Sequence, residues 1–209
     1  MAEVIAFIGA GGKTTSLLYF EELAIKKKTS SLLTTTTKML EIEVSDKPIA
    51  FASCYEELRK LVIAGLAKES CHLRIFRERL AINDKVAGLN VSWIESLHLE
   101  FPEIELLIEA DGARGKGLKW PYAHEPVLPK CVTKVYALAS SGVLGKPLTE
   151  EWVYNPAGFG IFYGKIIDKR VLDYYFSVGG KKQLQDNIEY HGILVEPGRF
   201  WWEQENDKG

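Results

Sequence analysis

Apolar residues gather in short runs at 4–8, 31–36, 71–76, 105–110 and 132–139, each broken off by glycine, proline or a polar cluster. Runs of that length bounded by turn signals read as buried strands. A shorter run at 48–52 reads as a further strand. Between them the spacing changes. Leu17, Leu18, Phe20, Leu23 and Ala24 form a stripe within 14–28, and Leu58, Leu61, Val62, Gly65 and Leu66 form another within 55–69. Trp93, Ile94 and Leu97 share one side of 92–99. These spacings predict three helices. Strands alternating with helices imply an α/β fold of three layers, a mostly parallel sheet with helices on both faces. Beyond Ser140 the pattern loosens around Gly142, Gly145, Pro147, Pro156, Gly158 and Gly160, with one more helix expected at 165–176 and a frayed polar tail at 206–209.

Composition narrows the class. With 209 residues and 46% apolar content, one sizeable core is expected, so 1–209 reads as a single domain with an irregular part at 140–209. A net charge of −2 offers no basic field for nucleic acid. No apolar run is long enough to span a bilayer, and the start MAEVIAFIG lacks the basic region of a secretory signal. Cys54, Cys71 and Cys131 are scattered and form no C-x-x-C pair, which argues for a reducing, cytoplasmic setting.

The richest chemistry lies in IAFIGAGGKTTSLLYF, residues 5–20. A strand, a glycine-rich turn and a helix opening with Lys13-Thr14-Thr15 make the order of a phosphate-binding P-loop. Gly9, Ala10, Gly11 and Gly12 would turn backbone N–H groups toward an anion, assisted by the helix N-terminus. Lys13 would reach the terminal phosphates, and the Thr14 hydroxyl would ligate magnesium. A nucleoside triphosphate, ATP or GTP, is thus the expected substrate. The usual spacing would need glycine at position 7, which is Phe7 here. The tighter Gly9-x-x-Gly12-Lys13-Thr14 resembles the loop of the Mur ligases.

A second signal is ELLIEADGARGKGLK, residues 105–119. In a P-loop protein a carboxylate at a neighbouring strand end holds magnesium, directly or through water. Glu109 and Asp111 are the candidates, one for the metal and one to orient a nucleophile. Arg114, Lys116 and Lys119 follow; Lys116 suits a solvated loop, and Arg114 and Lys119 suit phosphate or an anionic substrate. Thr34, Thr35, Thr36, Thr37 and Lys38 close the second strand. Threonine favours strands in any case, yet strand ends are where α/β sites assemble, so Thr36 is a candidate magnesium ligand and Thr37 and Lys38 candidate substrate contacts. His124 and Glu125 lie in the proline-rich WPYAHEPVLP, where a surface pair is the plainer reading. His72, His98 and His191 read as structural or exposed, and Trp201-Trp202 as cover for a groove or a partner.

In order along the chain, IGAGGKTT, LLTTTTKM, KVAGL, LLIEADGARGKGLKWPYAHEPVLP and GKPLTEEWV resemble the YqeC family, from about residue 4 to 154. The resemblance implies a P-loop nucleotide-binding accessory protein for selenium-dependent molybdenum hydroxylases. It places the nucleotide loop on Gly9, Gly11, Gly12, Lys13, Thr14 and Thr15, the threonine strand end on 34–38, and the acidic strand end on Glu109 and Asp111. It also favours roles for Arg114, Lys119, His124 and Glu125. Toward the C-terminus YHGILVEPGRFWWEQ stands where many P-loop proteins carry an Asn-Lys-x-Asp-like base-reading element, so base specificity stays open.

Three readings follow. The first is a magnesium-dependent triphosphatase in which Lys13, Glu109, Asp111 and Arg114 carry the chemistry, coupled to a client hydroxylase or a small anionic substrate. The second is a nucleotide-gated binding protein or chaperone with negligible turnover. The third, suggested by the loop spacing, is a ligase or kinase.

Overall fold

The computed structural model describes residues 1–67, 71–81, 84–198 and 201. The expected helix end at 68–69, Trp202 and the tail 206–209 lie outside the described residues. The chain is mixed α/β, as the alternation implied. Its elements are β1 (Val4–Gly9), α1 (Lys13–Lys27), β2 (Ser31–Thr35), β3 (Lys38–Leu40), β4 (Ala50–Phe51), α2 (Tyr55–Leu66), β5 (His72–Phe76) and β6 (Glu78–Leu80). There follow β7 (Lys85–Ala87), α3 (Val91–Glu100), β8 (Glu105–Glu109), β9 (Leu118–Lys119), β10 (Lys134–Ser140), β11 (Val153–Tyr154), α4 (Lys169–Tyr174) and β12 (Glu189–Val195). Seven strands form the central sheet in the order β12-β10-β1-β8-β2-β5-β4. The pairs β1–β8, β8–β2, β2–β5 and β5–β4 are all parallel, consistent with a three-layer P-loop-like architecture.

By contact the chain divides into two compact units. The first comprises Met1–Phe7, Thr14–Asp111 and Val127–Lys134. Its core is the expected one: Val4, Ile5, Ala6 and Phe7 of β1, Leu32 and Leu33 of β2, and Leu106, Leu107 and Ile108 of β8 are buried. Strands covered on both faces need such continuous apolar runs. Leu17 and Ala24 of α1, Leu58 and Val62 of α2, and Ile94 and Leu97 of α3 are buried as their spacing implied. A small antiparallel sheet, β3-β7-β6, was not legible in the sequence, because strands of three residues carry too little alternation to register.

The second unit comprises Ile8–Lys13, Gly112–Pro126 and Val135–Gly209. Leu118, Trp120, Val153, Phe159, Val171, Leu172 and Tyr175 belong to its own apolar cluster, so the region of loosened pattern still builds a core. Its helix starts later than 165 because Ile166 bridges Pro147, and the Asp168 carboxylate then caps α4 by accepting the N–H groups of Arg170 and Val171. Among the described residues no helix is long and apolar enough to cross a membrane.

One buried ion pair ties the first unit together. Arg74 on β5 and Glu21 on α1 are each almost fully buried and meet through two bonds of 2.8 and 2.6 Å, a bidentate fork. Arg74 also donates to the Val44 carbonyl at 2.8 Å and to Asp46, and Lys47 reaches Glu21 at 2.9 Å. Burial by itself would raise the Glu21 pKa, but the bonds from Arg74 and Lys47 outweigh it and hold the carboxyl below its ordinary 4.5. Since the folded state binds this proton less readily than the unfolded chain, the stability it contributes is complete above pH 4.5 and is lost as pH falls through the lower folded pKa. We predict that Arg74→Met costs about 3–5 kcal/mol in urea unfolding, because it strands a buried carboxylate, and that pairing it with Glu21→Leu recovers most of that loss.

Candidate functional site

The loop at residues 8–13 is shaped by its glycines. Gly9, Gly11 and Gly12 have φ of 88°, 78° and 101°, a region that side-chain-bearing residues rarely adopt. Space imposes the same choice. A Cβ on Gly9 would lie 2.2 Å from the Tyr175 hydroxyl and 2.3 Å from the Leu138 carbonyl oxygen, and one on Gly11 would lie 2.8 Å from the Ser140 Cβ. Ala10 is buried, and its N–H donates to the Leu138 carbonyl at 2.9 Å. Lys13 is buried as well, and its ammonium donates to the Gly9 carbonyl at 2.7 Å, closing the loop upon itself. The loop is thus curled by its glycines and closed by the Lys13 ammonium.

Thr14 opens the first unit's share of α1, and two carboxylates converge on its hydroxyl. Glu109 Oε2 lies 3.0 Å from Thr14 Oγ1, and Glu43 Oε2 lies 3.2 Å from it. One hydroxyl proton cannot serve two acceptors. An arrangement of one hydroxyl and two carboxylates is the hard-oxygen donor set that suits magnesium. Among the described residues no cluster of three or more His, Cys, Asp or Glu could hold a metal, so a cation here would complete its shell with water and phosphate oxygens, as magnesium commonly does. Glu43 sits on a single 3-10 turn, Glu41–Val44, and was not legible in the sequence because it meets Thr14 across 29 residues of chain.

Glu109 is the last residue of β8 and is itself well positioned. Its carbonyl accepts the Thr35 hydroxyl at 2.7 Å and the Thr36 N–H at 3.1 Å. The Thr35 hydroxyl also accepts from the Thr37 N–H at 3.1 Å, and the Thr36 hydroxyl donates to the Val127 carbonyl at 2.7 Å. The threonine run is therefore a hydrogen-bonded knot that fixes the strand end. Gly88 permits it: a Cβ there would lie 2.0 Å from the Thr35 carbonyl oxygen. Asp111 is buried, two residues past the end of β8, so strand alternation no longer sets its direction. Thr15 is exposed, and Lys38 is exposed on β3.

The remaining candidates lie in the second unit. Lys119 is fully buried, and its ammonium donates to the Gly112 carbonyl at 2.7 Å and pairs with Glu125 at 2.9 Å. Glu125 also accepts the Tyr122 N–H at 3.2 Å. Arg114 is exposed, with its guanidinium 5.2 Å from the centre of the Tyr154 ring. His124 is exposed and stacks on Tyr122 at 5.8 Å. Lys116 donates to the Glu151 carbonyl at 2.9 Å.

Comparison with known proteins gives a family. The family described as YqeC protein matches residues 5–157. The chain is 35% identical over 162 residues to "Uncharacterized protein YqeC" of Escherichia coli (strain K12), covering 77% of this chain and 60% of that protein. It thus spans about 60% of the length of the curated relative it matches. No solved structure matches it.

Two glycines with opposite surroundings give a direct check on the loop. Gly9→Ala meets a positive φ and two close oxygens, and should cost about 1–3 kcal/mol in thermal or urea unfolding. A Cβ on Gly112 would meet no atom within 4 Å, and its φ is not positive, so Gly112→Ala should stay within about 0.5 kcal/mol of the parent.

Proposed function

The chain belongs to the YqeC family, and on that premise we propose that it is a magnesium-dependent nucleoside triphosphatase serving as an accessory factor in the maturation of a selenium-dependent molybdenum hydroxylase. The observation that carries the nucleotide part is the meeting of the Thr14 hydroxyl with the Glu109 carboxylate at 3.0 Å, directly after the glycine-lined loop and Lys13. A threonine that follows the P-loop lysine and faces an acidic strand end is what binding of a metal–triphosphate complex requires. The molybdenum part rests on the family resemblance.

In this reading the loop backbone around Gly11 and Gly12 and the Lys13 ammonium hold the β- and γ-phosphates, while the Ala10 N–H, which the sequence pattern also offered, is taken by the Leu138 carbonyl and does not contribute. Thr14, Glu109 and Glu43 hold magnesium, with Asp111 and Thr36 as further oxygen donors. Bound magnesium would neutralise charge on the phosphate oxygens. Lys13 would exchange the Gly9 carbonyl for the phosphates. The threonine knot at 35–37 fixes the backbone from which the Glu109 carboxylate extends. Arg114 supplies a cation to an anionic substrate, and Lys119 and Glu125 brace the segment that carries it.

A second reading is a nucleotide-gated binding protein with little turnover. The bonds from Thr35 and Thr36 to the Glu109 carbonyl favour it, since a ligand at the strand end would be felt directly by the segment leading into β3.

Titration and turnover of ATP, GTP and CTP with magnesium test both. Lys13→Ala should weaken triphosphate binding and lower turnover by about a hundredfold, and Glu109→Gln should lower magnesium-dependent turnover by a similar factor while the fold persists. Asp111→Asn should show a smaller loss if Glu109 carries the metal. Tight binding without phosphate release would favour the gated protein. Unchanged affinity in Lys13→Ala would overturn the P-loop assignment.

A further inference from the structure

In the second unit the segment after the acidic strand end is pinned at both sides and displays one cation at its tip. The Gly112 carbonyl is held by the buried Lys119 ammonium, and the Lys116 ammonium is anchored on the Glu151 carbonyl. Between these anchors Arg114 adopts φ of 50°, left-handed backbone that is uncommon for a residue with a long side chain. Gly115 follows with φ of 72°, and the Lys116 N–H closes the turn on the Ala113 carbonyl at 3.0 Å. Backbone held in this region without glycine is maintained by its surroundings and concentrates at functional positions.

The side chain is held too. The Arg114 guanidinium lies over the Tyr154 ring at 5.2 Å, and Lys119 lies 5.4 Å from the same ring centre. Backbone pairing fixes that ring: Tyr154 stands opposite Lys119 in the parallel β9–β11 pair, and its carbonyl accepts the Trp120 N–H at 3.0 Å. The two cations share one aromatic partner but differ in availability. Lys119 is buried and bonded to Glu125 and the Gly112 carbonyl, whereas Arg114 is exposed and, among the described residues, gives no hydrogen bond to a carboxylate or carbonyl. A guanidinium lying on a ring keeps its planar N–H edge open for a two-pronged bond to an oxyanion.

We propose that Arg114 and Tyr154 form a preformed receptor for the oxyanion of a second, small substrate, a phosphate or a carboxylate, with Arg114 binding it and Tyr154 acting as the positioning residue. The proposal deepens the triphosphatase reading by giving its acceptor a chemical class, and it rests on that reading only for the acceptor's role in turnover. Lys119 and Glu125 do not bind the acceptor; they set the segment from below. His124, stacked on Tyr122, which in turn meets Tyr154 edge-on at 5.6 Å, extends the exposed strip beside it.

The test is the rate of Arg114 modification by phenylglyoxal, read by mass spectrometry on the full chain, with and without inorganic pyrophosphate or malonate. The parent and Tyr154→Phe should show Arg114 protected at least about fivefold by one of the two anions, which identifies phosphate or carboxylate as the group taken. Tyr154→Leu should weaken that anion's apparent affinity about three- to fivefold, the worth of a solvent-facing cation–ring contact. Tyr154→Met serves if the leucine variant melts early. Rescue by phenylalanine marks the ring itself as the agent, which a general packing role would not require of the anion affinity. Lys13→Ala should leave the protection intact. Protection absent in the parent, unchanged in both ring-free variants, or lost in Lys13→Ala would overturn the proposal. A protein that fails to bind magnesium–ATP while Arg114 stays protected would instead sink the triphosphatase reading and leave the oxyanion receptor standing.

Discussion

The buried fork between Arg74 and Glu21 is the constraint on which the first unit's site depends. Glu21 rides on α1, the helix whose start presents Thr14, and Arg74 stands on β5 within the sheet. The same guanidinium grips the Val44 carbonyl and Asp46, so the 3-10 turn bearing Glu43 is tied to the residue that anchors α1. Removing two charges from water is costly, and the geometry offsets that cost only because nearly every donor of the guanidinium is used. A hydrophobic pair would hold the helix as well, but it would not set the register between the turn and the helix. That register brings Glu43 and Glu109 to one hydroxyl.

A second theme is the use of backbone groups to place charged side chains. The Glu109 carbonyl takes a threonine hydroxyl and an amide N–H, so the backbone that carries the carboxylate has little freedom. The Gly9 carbonyl takes the Lys13 ammonium, and the Gly112 carbonyl takes that of Lys119. Each of these carbonyls lies at the end of a strand or within three residues after one. Glycines at 9, 11 and 88 let chain segments approach closely enough for such bonds, since a Cβ at any of them would fall within 2.8 Å of another atom.

The basic residues that follow the acidic strand end look alike in sequence but do different work. Lys119 is a buried post paired with Glu125, Lys116 is a surface tether to a carbonyl, and Arg114 is an exposed head resting on Tyr154. Charge alone could not sort them, because burial and the identity of the acceptor decide whether a cation is used within the fold or left at its surface.

The alternation of strands and helices, the parallel core and the glycine-lined loop were legible from the order of residues, because each depends on local periodicity or on backbone freedom at single positions. Glu109 was legible for the same reason, as the acidic end of an apolar run. Local order could not reveal Glu43 beside Thr14, Arg74 beside Glu21, or Tyr154 beneath Arg114. The first two pairs are 29 and 53 residues apart, and all three are chosen by packing. The three-residue strands of the small antiparallel sheet and the core built beyond Ser140 escaped for a related reason. The three-residue strands are too short to display an alternation, and the apolar positions beyond Ser140 follow no single period. What the chain specified by itself was which segments are buried and where glycines curl the backbone; the tertiary structure decided which charged groups meet, because only the folded backbone sets the distances on which those interactions depend.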